Sequence, residues 1–171
     1  MRPHIRDETP RDLQTIGALA AQAYREVFFS PHTEQHIIAA LRHAGDLTVS
    51  LVAEHQGVIV GHVAASPVRV VDGTTEHRGW YALGPLSVSP AWQGEGVGTA
   101  LVQAALQGLK ALGAAGCVTW YHAAYFRRFG FRPARPLKHP EVPAREFLAL
   151  CWAEPVPAGV VRYHPAFAVR A

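Results

Sequence analysis

Three glycines at alternate positions form the part of this sequence whose residue types point most directly to chemistry. Between a β-like segment at 86–88 and a strongly helical one lies the run Gln93, Gly94, Glu95, Gly96, Val97, Gly98. Glycine lets the backbone approach a ligand closely, and the positive end of the following helix dipole attracts negative charge. Consecutive N–H groups at a helix start bind anions. The run therefore predicts a phosphate or diphosphate site.

The spacing of the loop disfavours two common phosphate-binding motifs. A Walker loop ends in Gly-Lys-Ser/Thr, whereas Gly98 is followed by Thr99 and Ala100 with no lysine nearby. A dinucleotide fingerprint would place its third glycine at position 99 and an acidic residue about twenty positions later, where the sequence reads Ala114 to Trp120. Neither ATP nor NAD is favoured as the ligand.

Hydrophobic periodicity predicts the elements that position the loop. A short extended segment comes first, then a helix with Thr9 as its hydroxyl cap and an apolar stripe from Leu13 to Val27, then a helix from Thr33 to His43 ended by Gly45. The later predictions are strands at 47–54, 58–71 and 76–88, then a helix at 98–112 ended by Gly113 and Gly116. A strand at 117–122, a short helix at 123–129 and a strand at 146–153 follow. Gly84 and Pro85 interrupt the third of these strands.

Length and composition predict one folded domain. The 171 residues are 49% hydrophobic and 17% charged, which suits a single core spanning 1–171, with 154–171 as a C-terminal tail packed on it. No apolar run is long enough to cross a membrane, and the charged start, 1–8, does not resemble a signal peptide. Cys117 and Cys151 stand alone, so a reduced cytoplasmic setting fits best.

Charged and metal-binding residue types suggest a small anionic ligand and no metal. His32, His36 and His43 share a helical face but lack the His-Glu-x-x-His order, so no metal site is expected. The net charge of +3 is mild, and the densest basic region, 127–138, has no groove-reading motif. We therefore expect no nucleic-acid partner.

Several segments together resemble one known family. The loop, preceded by Val88, Ser89 and Pro90, resembles the acetyl-CoA loop of the GNAT superfamily of N-acetyltransferases. The resemblance covers nearly the whole chain. At residues 60–62, 84–88, 124–131 and 163–167, the chain is similar to a branch of predicted bacterial N-acetyltransferases. The element in 124–131 reads Ala-Tyr-Phe-Arg-Arg-Phe-Gly-Phe.

The resemblance implies a fold and a co-substrate. The fold is an α/β (α+β) domain with a central mixed, mostly antiparallel twisted sheet, splayed after Val88 between its fourth and fifth strands, and helices on both faces. The co-substrate is acetyl-CoA, with its pantetheine arm against the fourth strand. The implied cofactor-binding residues are Leu86, Ser87, Val88, Gln93, Gly94, Glu95, Gly96, Val97, Gly98, Thr99, Ala100, Phe126 and Arg128.

The implied reaction is direct attack by a neutral amine on the acetyl carbonyl, with a general acid for the leaving thiolate. Many relatives carry a tyrosine acid four residues before Gly130, where this chain has Phe126. Tyr125 is therefore the candidate acid, although Tyr125 and Phe126 can equally be wall aromatics beneath the cofactor. The segment 82–88 has no carboxylate, so the candidate bases are His62 and His122, which can also be buried structural histidines.

Alternatives remain at this point. Arg127 and Arg128 have two interpretations: they contact a phosphate group of coenzyme A, or they form a solvent-exposed face of the short helix. The missing tyrosine and carboxylate also allow a non-catalytic module that binds or senses coenzyme A. If the chain is an enzyme, the expected acceptor is an amine of a small molecule or a protein. The sequence also allows a homodimer.

Overall fold

The computed structural model describes residues 2–168. Its α helices are α1 (Leu13–Tyr24), α2 (Glu34–Ala44), α3 (Val97–Ala111) and α4 (Ala123–Phe126). Its strands are β1 (His4–Asp7), β2 (Val49–His55), β3 (Val58–Asp72), β4 (Thr75–Val88), β5 (Gly116–Thr119), β6 (Arg132–Pro133), β7 (Leu137–Lys138), β8 (Leu148–Cys151) and β9 (Gly159–Arg162). Short 3-10 turns occupy Pro90–Trp92, Arg127–Phe129 and Pro165–Ala168.

The strands form one mixed sheet in the order β1-β2-β3-β4-β5-β8-β6, and β9 pairs with β3 and β7. The β4–β5 and β7–β9 pairs are parallel, whereas β1–β2, β2–β3, β3–β9, β5–β8 and β6–β8 are antiparallel. This arrangement confirms the predicted mixed, mostly antiparallel sheet combined with helices.

The ladder between the fourth and fifth strands covers only part of β4. Their ladder consists of three pairs, the last of which joins Ala82 to Val118, while β4 itself continues to Val88. Pro85 has no N–H to donate, and Gly84 has a φ of +126°, so the backbone of β4 departs from regular ladder geometry at this point. The paired part of the two strands thus ends at Ala82 and Val118, one residue before β5 itself ends at Thr119.

Contacts within the chain divide it into two compact units. The first contains residues 2–65, 84–108 and 165–168. Its helices α1 and α2 bury Ile16, Ala20 and Ile38 with Val52 of β2. Helix α3 packs on β3 at Gly61, where an added Cβ would lie 2.8 Å from Leu101 Cδ1 and 2.9 Å from Val97 Cγ1. Only a glycine allows this close approach.

The second unit contains residues 66–83 and 109–164. Its buried core consists of Val68, Val70, Trp80, Ala82, Val118, Leu137, Phe147, Ala149 and Val161. Gly116 lies against the ring of Trp80, and an added Cβ would overlap that ring. We predicted that Gly116 ends a helix, but it is the first residue of β5. The glycine is needed there because its contact with Trp80 leaves no room for a side chain.

The start and end of α1 also differ from the prediction. Asp12, not Thr9, is the N-cap residue, and Thr9 Oγ1 donates to Asp12 Oδ2 at 2.9 Å. Arg6 Nη1 donates to the same carboxylate oxygen at 2.7 Å and holds the Asp12 pKa well below its usual range. The helix ends at Tyr24, so Val27 lies beyond it. The predicted cap is displaced because an ion pair with Arg6 of β1 fixes Asp12.

The segment from 154 onwards contains a strand. Residues Gly159–Arg162 pair with β3 through Val161 opposite Val70, whereas the sequence predicted an extended tail. Residue 1 and residues 169–171, part of the predicted domain and tail, lie outside the described residues. The single domain stays a prediction. Within residues 2–168, no helix combines the length and apolar character needed to span a bilayer.

Candidate active site

The glycine run joins the turn Pro90–Trp92 to α3 in the first unit. Gly94 and Gly96 have φ values of +81° and +82°, in the left-handed region that favours glycine. No heavy atom lies within 4 Å of the position of a Cβ on either residue, so this backbone conformation, not crowding, requires glycine there. Residues 93–96 are exposed. The loop is therefore an open, conformationally specified turn.

The amide groups of the loop divide into two sets. Glu95 N–H donates to Trp92 O at 3.4 Å, and Ala100 N–H donates to Gly96 O at 3.0 Å. The latter is an i to i−4 bond of α3, so the N–H groups of Val97, Gly98 and Thr99 precede the hydrogen-bonded part of the helix. The N–H groups of Val97, Gly98 and Thr99, together with those of Gly94 and Gly96, can therefore bind an anion. The N–H groups of Glu95 and Ala100 already donate to carbonyl oxygens of the chain.

Two contacts anchor the loop to neighbouring strands. Ser89 N–H donates to Val60 O at 2.9 Å, and Gln93 Nε2 donates to Val88 O at 3.2 Å. Val97 is buried with its side chain beside Gly61. The first turn of α3 is thus fixed against β3, which holds the amide groups at the helix start in place.

The end of β4 carries the other predicted cofactor residues of this unit. Leu86 and Val88 are half-buried, whereas Ser87 is fully buried and its Oγ has no hydrogen-bond partner within residues 2–168. Tyr24 donates its hydroxyl to Leu86 O at 2.8 Å. Tyr24 was not among the predicted site residues. It follows Ala20 by four positions on the buried stripe of α1, and a tyrosine there needs a partner for its hydroxyl.

The second unit contains the aromatic segment around α4. Phe126 is buried, and its ring centroid lies 5.7 Å from that of Phe131. Tyr125 is half-buried, with its ring 5.2 Å from Phe126 and 5.4 Å from Phe129. The exposed Arg128 places its guanidinium carbon 4.4 Å from the Tyr125 ring centroid. This packing holds the Tyr125 ring through contacts that do not depend on its hydroxyl.

His122 lies outside the strand that was predicted to carry it. Strand β5 ends at Thr119, and His122 is the exposed residue before α4, with a left-handed φ of +53°. Its ring lies 4.5 Å from that of Tyr121 in an edge-to-face arrangement. The strand prediction was wrong here because the chain turns into α4 at 120–122, a tertiary choice that β-propensity does not reveal.

His62 lies in a buried polar network of the first unit. Its Nε2 is 2.8 Å from Ser50 Oγ and 3.8 Å from Glu8 Oε2. Ser50 also donates to Glu8, which accepts two bonds of 2.8 Å from Arg42. Since the Ser50 hydroxyl has one proton, His62 Nε2–H donates to it, and Nδ1 is unprotonated. Burial, with a smaller contribution from Arg42, lowers the His62 pKa to about 4. This placement supports the structural role considered for His62.

The free energy of unfolding should decrease in mild acid because His62 is buried in its neutral form. The unfolded chain protonates His62 below pH about 6.5, whereas the folded chain does so only near pH 4. Stability is therefore fully present above pH 6.5 and falls as the pH approaches 4, by about 2 kcal/mol between pH 7 and pH 5. Urea unfolding of His62→Gln should lack this component of the slope. His43→Gln, which changes an exposed histidine, should keep it. An equal slope in His62→Gln and the wild type would contradict the assignment.

Metal ligands do not come together in the described structure. Among residues 2–168, no group of three or more His, Cys, Asp or Glu side chains could hold a metal ion.

Comparison with known proteins places this chain in a family. The model of the Acetyltransferase (GNAT) family matches residues 13–131. The chain is also 36% identical over 131 residues to the uncharacterised N-acetyltransferase YhbS of Escherichia coli (strain K12), which covers 76% of this chain and 74% of the relative. This chain belongs to the GNAT acetyltransferase family.

Two solved structures share its fold closely. One is a GNAT family acetyltransferase from Brucella melitensis in complex with acetyl-CoA, with 44% identity, a TM-score of 0.83, and coverage of 96% of this chain and 97% of that one. The other is YhbS from Escherichia coli in complex with CoA, with 33% identity, a TM-score of 0.85, and coverage of 99% and 93%. The GNAT fold that the sequence predicted is therefore confirmed.

Proposed function

We propose that this chain is an acetyl-CoA-dependent N-acetyltransferase that acts on a primary amine of a small molecule or a protein. The observation that carries the proposal is the glycine loop, whose amide groups at Val97, Gly98 and Thr99 stand at the start of α3. Backbone donors and the helix dipole suit the diphosphate of coenzyme A. The likeness to a structure in complex with acetyl-CoA supports the same ligand.

The strand end Leu86–Val88 is assigned to the pantetheine arm. An extended backbone can pair with the amide groups of this arm as it would with another strand. Ser87 Oγ, which is buried without a partner, adds a polar group at this segment. Phe126 and Arg128 stay predicted cofactor residues, with Phe126 as a buried wall and Arg128 as an exposed cation.

The reaction needs one acid and one base. The amine nitrogen forms a bond to the acetyl carbon, the bond from that carbon to sulfur breaks, and the sulfur takes a proton. Tyr125 is assigned as the donor of that proton, since it is half-buried and carries the hydroxyl that Phe126 lacks. The proton lost by the amine leaves to solvent or to the exposed His122. His62 is neutral and enclosed, which favours its structural role over proton transfer.

Calorimetry and thiol release test this function in sequence. Acetyl-CoA should bind folded protein with measurable heat at tens of micromolar concentration. With an amine panel, thiol release should exceed the spontaneous rate. No binding would overturn the whole proposal. Binding without thiol release on any amine would instead favour the non-catalytic module, which the missing carboxylate in 82–88 motivates.

The location and assembly of the protein are also proposals. Both cysteines are free, Cys117 buried and Cys151 exposed, which supports a reduced cytoplasmic compartment. The homodimer stays a prediction, which sedimentation equilibrium tests directly.

A further inference from the structure

Positive charge is concentrated in one segment of the second unit, residues 127–145. This segment contains six arginines and lysines and one acidic residue, so its formal net charge is +5, whereas that of the whole chain is +3. All six cationic residues are exposed. Arg128 is a predicted cofactor residue and is set apart. The other five form what we call the basic surface: Arg127, Arg132, Arg135, Lys138 and Arg145.

Side-chain hydrogen bonds bring three of these cations together. Arg132 Nη1 donates to Arg127 O at 2.8 Å and to Phe131 O at 2.7 Å. Arg127 Nη2 donates in turn to Arg145 O at 3.5 Å. Positions 127, 132 and 145 therefore lie side by side although they are up to eighteen residues apart in the sequence.

A tight turn adds the other two cations. Leu137 N–H donates to Ala134 O at 3.0 Å, which closes a turn that has Arg135 at its second position. Lys138 follows this turn directly, in β7, where it pairs with Val160 of β9. Since Arg135 and Lys138 are three residues apart, their Cα atoms lie within about 11 Å of each other.

The charge of the basic surface is largely uncompensated. Among residues 2–168, its one ion pair joins Arg145 Nε to Glu146 Oε1 at 3.6 Å. The carbonyl oxygens that accept from Arg127 and Arg132 orient the two guanidinium groups without cancelling their charge. Cations that are already ordered lose less conformational freedom when an anion binds. The basic surface therefore suits an anionic partner.

The local structure does not favour nucleic acid or lipid as this partner. Residues 127–145 form only the turn Arg127–Phe129 and the two-residue strands β6 and β7, so no long helix or ribbon is available to enter a groove. The phenylalanines of the segment, Phe129 and Phe131, are half-buried and buried, and they offer no platform on which bases could stack. The large apolar side chains exposed among residues 2–168 all lie outside the segment, which leaves no anchor for a membrane.

A carboxylate-rich chain matches the basic surface better. Guanidinium groups bind carboxylates through paired hydrogen bonds, and five cations spread over a turn, two strands and a loop match several carboxylates along an extended segment. A second copy that presented the same surface across a twofold axis would be repelled. We propose that the basic surface docks an acidic, Asp- and Glu-rich segment of another protein. This interaction does not require acetyl transfer.

The test measures binding of a fluorescein-labelled, amidated peptide in which six glutamates alternate with six glycines. Fluorescence anisotropy is recorded with and without saturating CoA, so that binding at the cofactor site is recognised by competition. The peptide should bind in the presence of CoA, and its affinity should fall at least fivefold when NaCl is raised from about 50 to about 200 mM.

Two triple variants locate the binding. The first removes three cations of the basic surface and should weaken peptide binding roughly tenfold, since each exposed ion pair contributes modestly; it combines Arg135→Gln, Lys138→Gln and Arg145→Gln. The matched control removes three exposed cations of the first unit and should stay within twofold of the wild type; it combines Arg2→Gln, Arg11→Gln and Arg25→Gln. Melting temperatures check that both variants are folded.

Three outcomes would overturn the inference. The first is no saturable peptide binding in the presence of CoA, and the second is an equal loss of affinity in the two triple variants, which would indicate an effect of net charge alone. The third is tighter binding of single-stranded heptathymidylate, which also carries six negative charges, or of phosphatidylserine vesicles, which would assign the surface to nucleic acid or to a membrane. Because each readout is binding, failure of the proposed acetyltransferase activity leaves this test intact.

Discussion

Replacing Tyr125 with phenylalanine should lower kcat about a hundredfold or more while leaving the affinity for acetyl-CoA unchanged. The substitution removes only the hydroxyl assigned as the proton donor. The ring contacts with Phe126, Phe129 and Arg128 involve the face and edge of the ring, so they persist in the variant. Single-turnover thiol release and calorimetry separate the chemical step from binding.

Tyr81→Phe is the matched control for this experiment. Tyr81 is a half-buried tyrosine of β4 in the same compact unit, paired with Cys117 in the ladder to β5. It should retain the wild-type kcat. A kcat in Tyr125→Phe within twofold of the wild type would show that Tyr125 is a wall aromatic and that another group protonates the sulfur.

The second large effect is expected in the glycine loop. Gly96→Val introduces a β-branched residue where φ is +82°, a conformation that costs such a side chain about 2 kcal/mol or more. The loop should relax away from this conformation and lose some of its aligned amide donors. The affinity for acetyl-CoA should then fall roughly tenfold to a hundredfold, since each charge-assisted hydrogen bond contributes about 1.5–3 kcal/mol.

Gly73→Val distinguishes lost binding from general strain. Gly73, in the turn between β3 and β4, has a φ of +57° and, like Gly96, no heavy atom within 4 Å of an added Cβ. Both variants should lower the melting temperature by a few degrees, but only Gly96→Val should weaken acetyl-CoA binding. Equal affinities in the two variants would contradict the assignment of the loop to the diphosphate.

The features that could be predicted from sequence depend on residues close together in the chain. Helix α2 followed from its apolar periodicity and from Gly45, because residue spacing and a left-handed glycine are local signals. The glycine loop followed from its spacing for the same reason. The fold class required more, namely the order of several motifs and their resemblance to a family.

The features that were missed depend on side-chain contacts that hydrophobic periodicity does not reveal. Thr9 was predicted as a cap, but Arg6 and Asp12 form an ion pair that changes its role. Gly116 was read as a helix end, although Trp80, distant in sequence, is the reason for a glycine there. Tyr24 carried no motif, and its interest arises only from its hydrogen bond to Leu86 O, 62 residues later in the sequence. Periodicity indicates which face is buried but not which distant atom a side chain meets.

The close approach of α3 to β3 at Gly61 has a thermodynamic consequence for ligand binding. Because the Val97 and Leu101 side chains of α3 pack directly on the Gly61 backbone, the first turn of α3 is held in place before any ligand arrives. Association with a diphosphate should then require little ordering of the donors at Val97 and Gly98, and so a small entropic penalty. A bulkier residue at position 61 would leave every loop residue unchanged and still weaken binding, through a more unfavourable binding entropy.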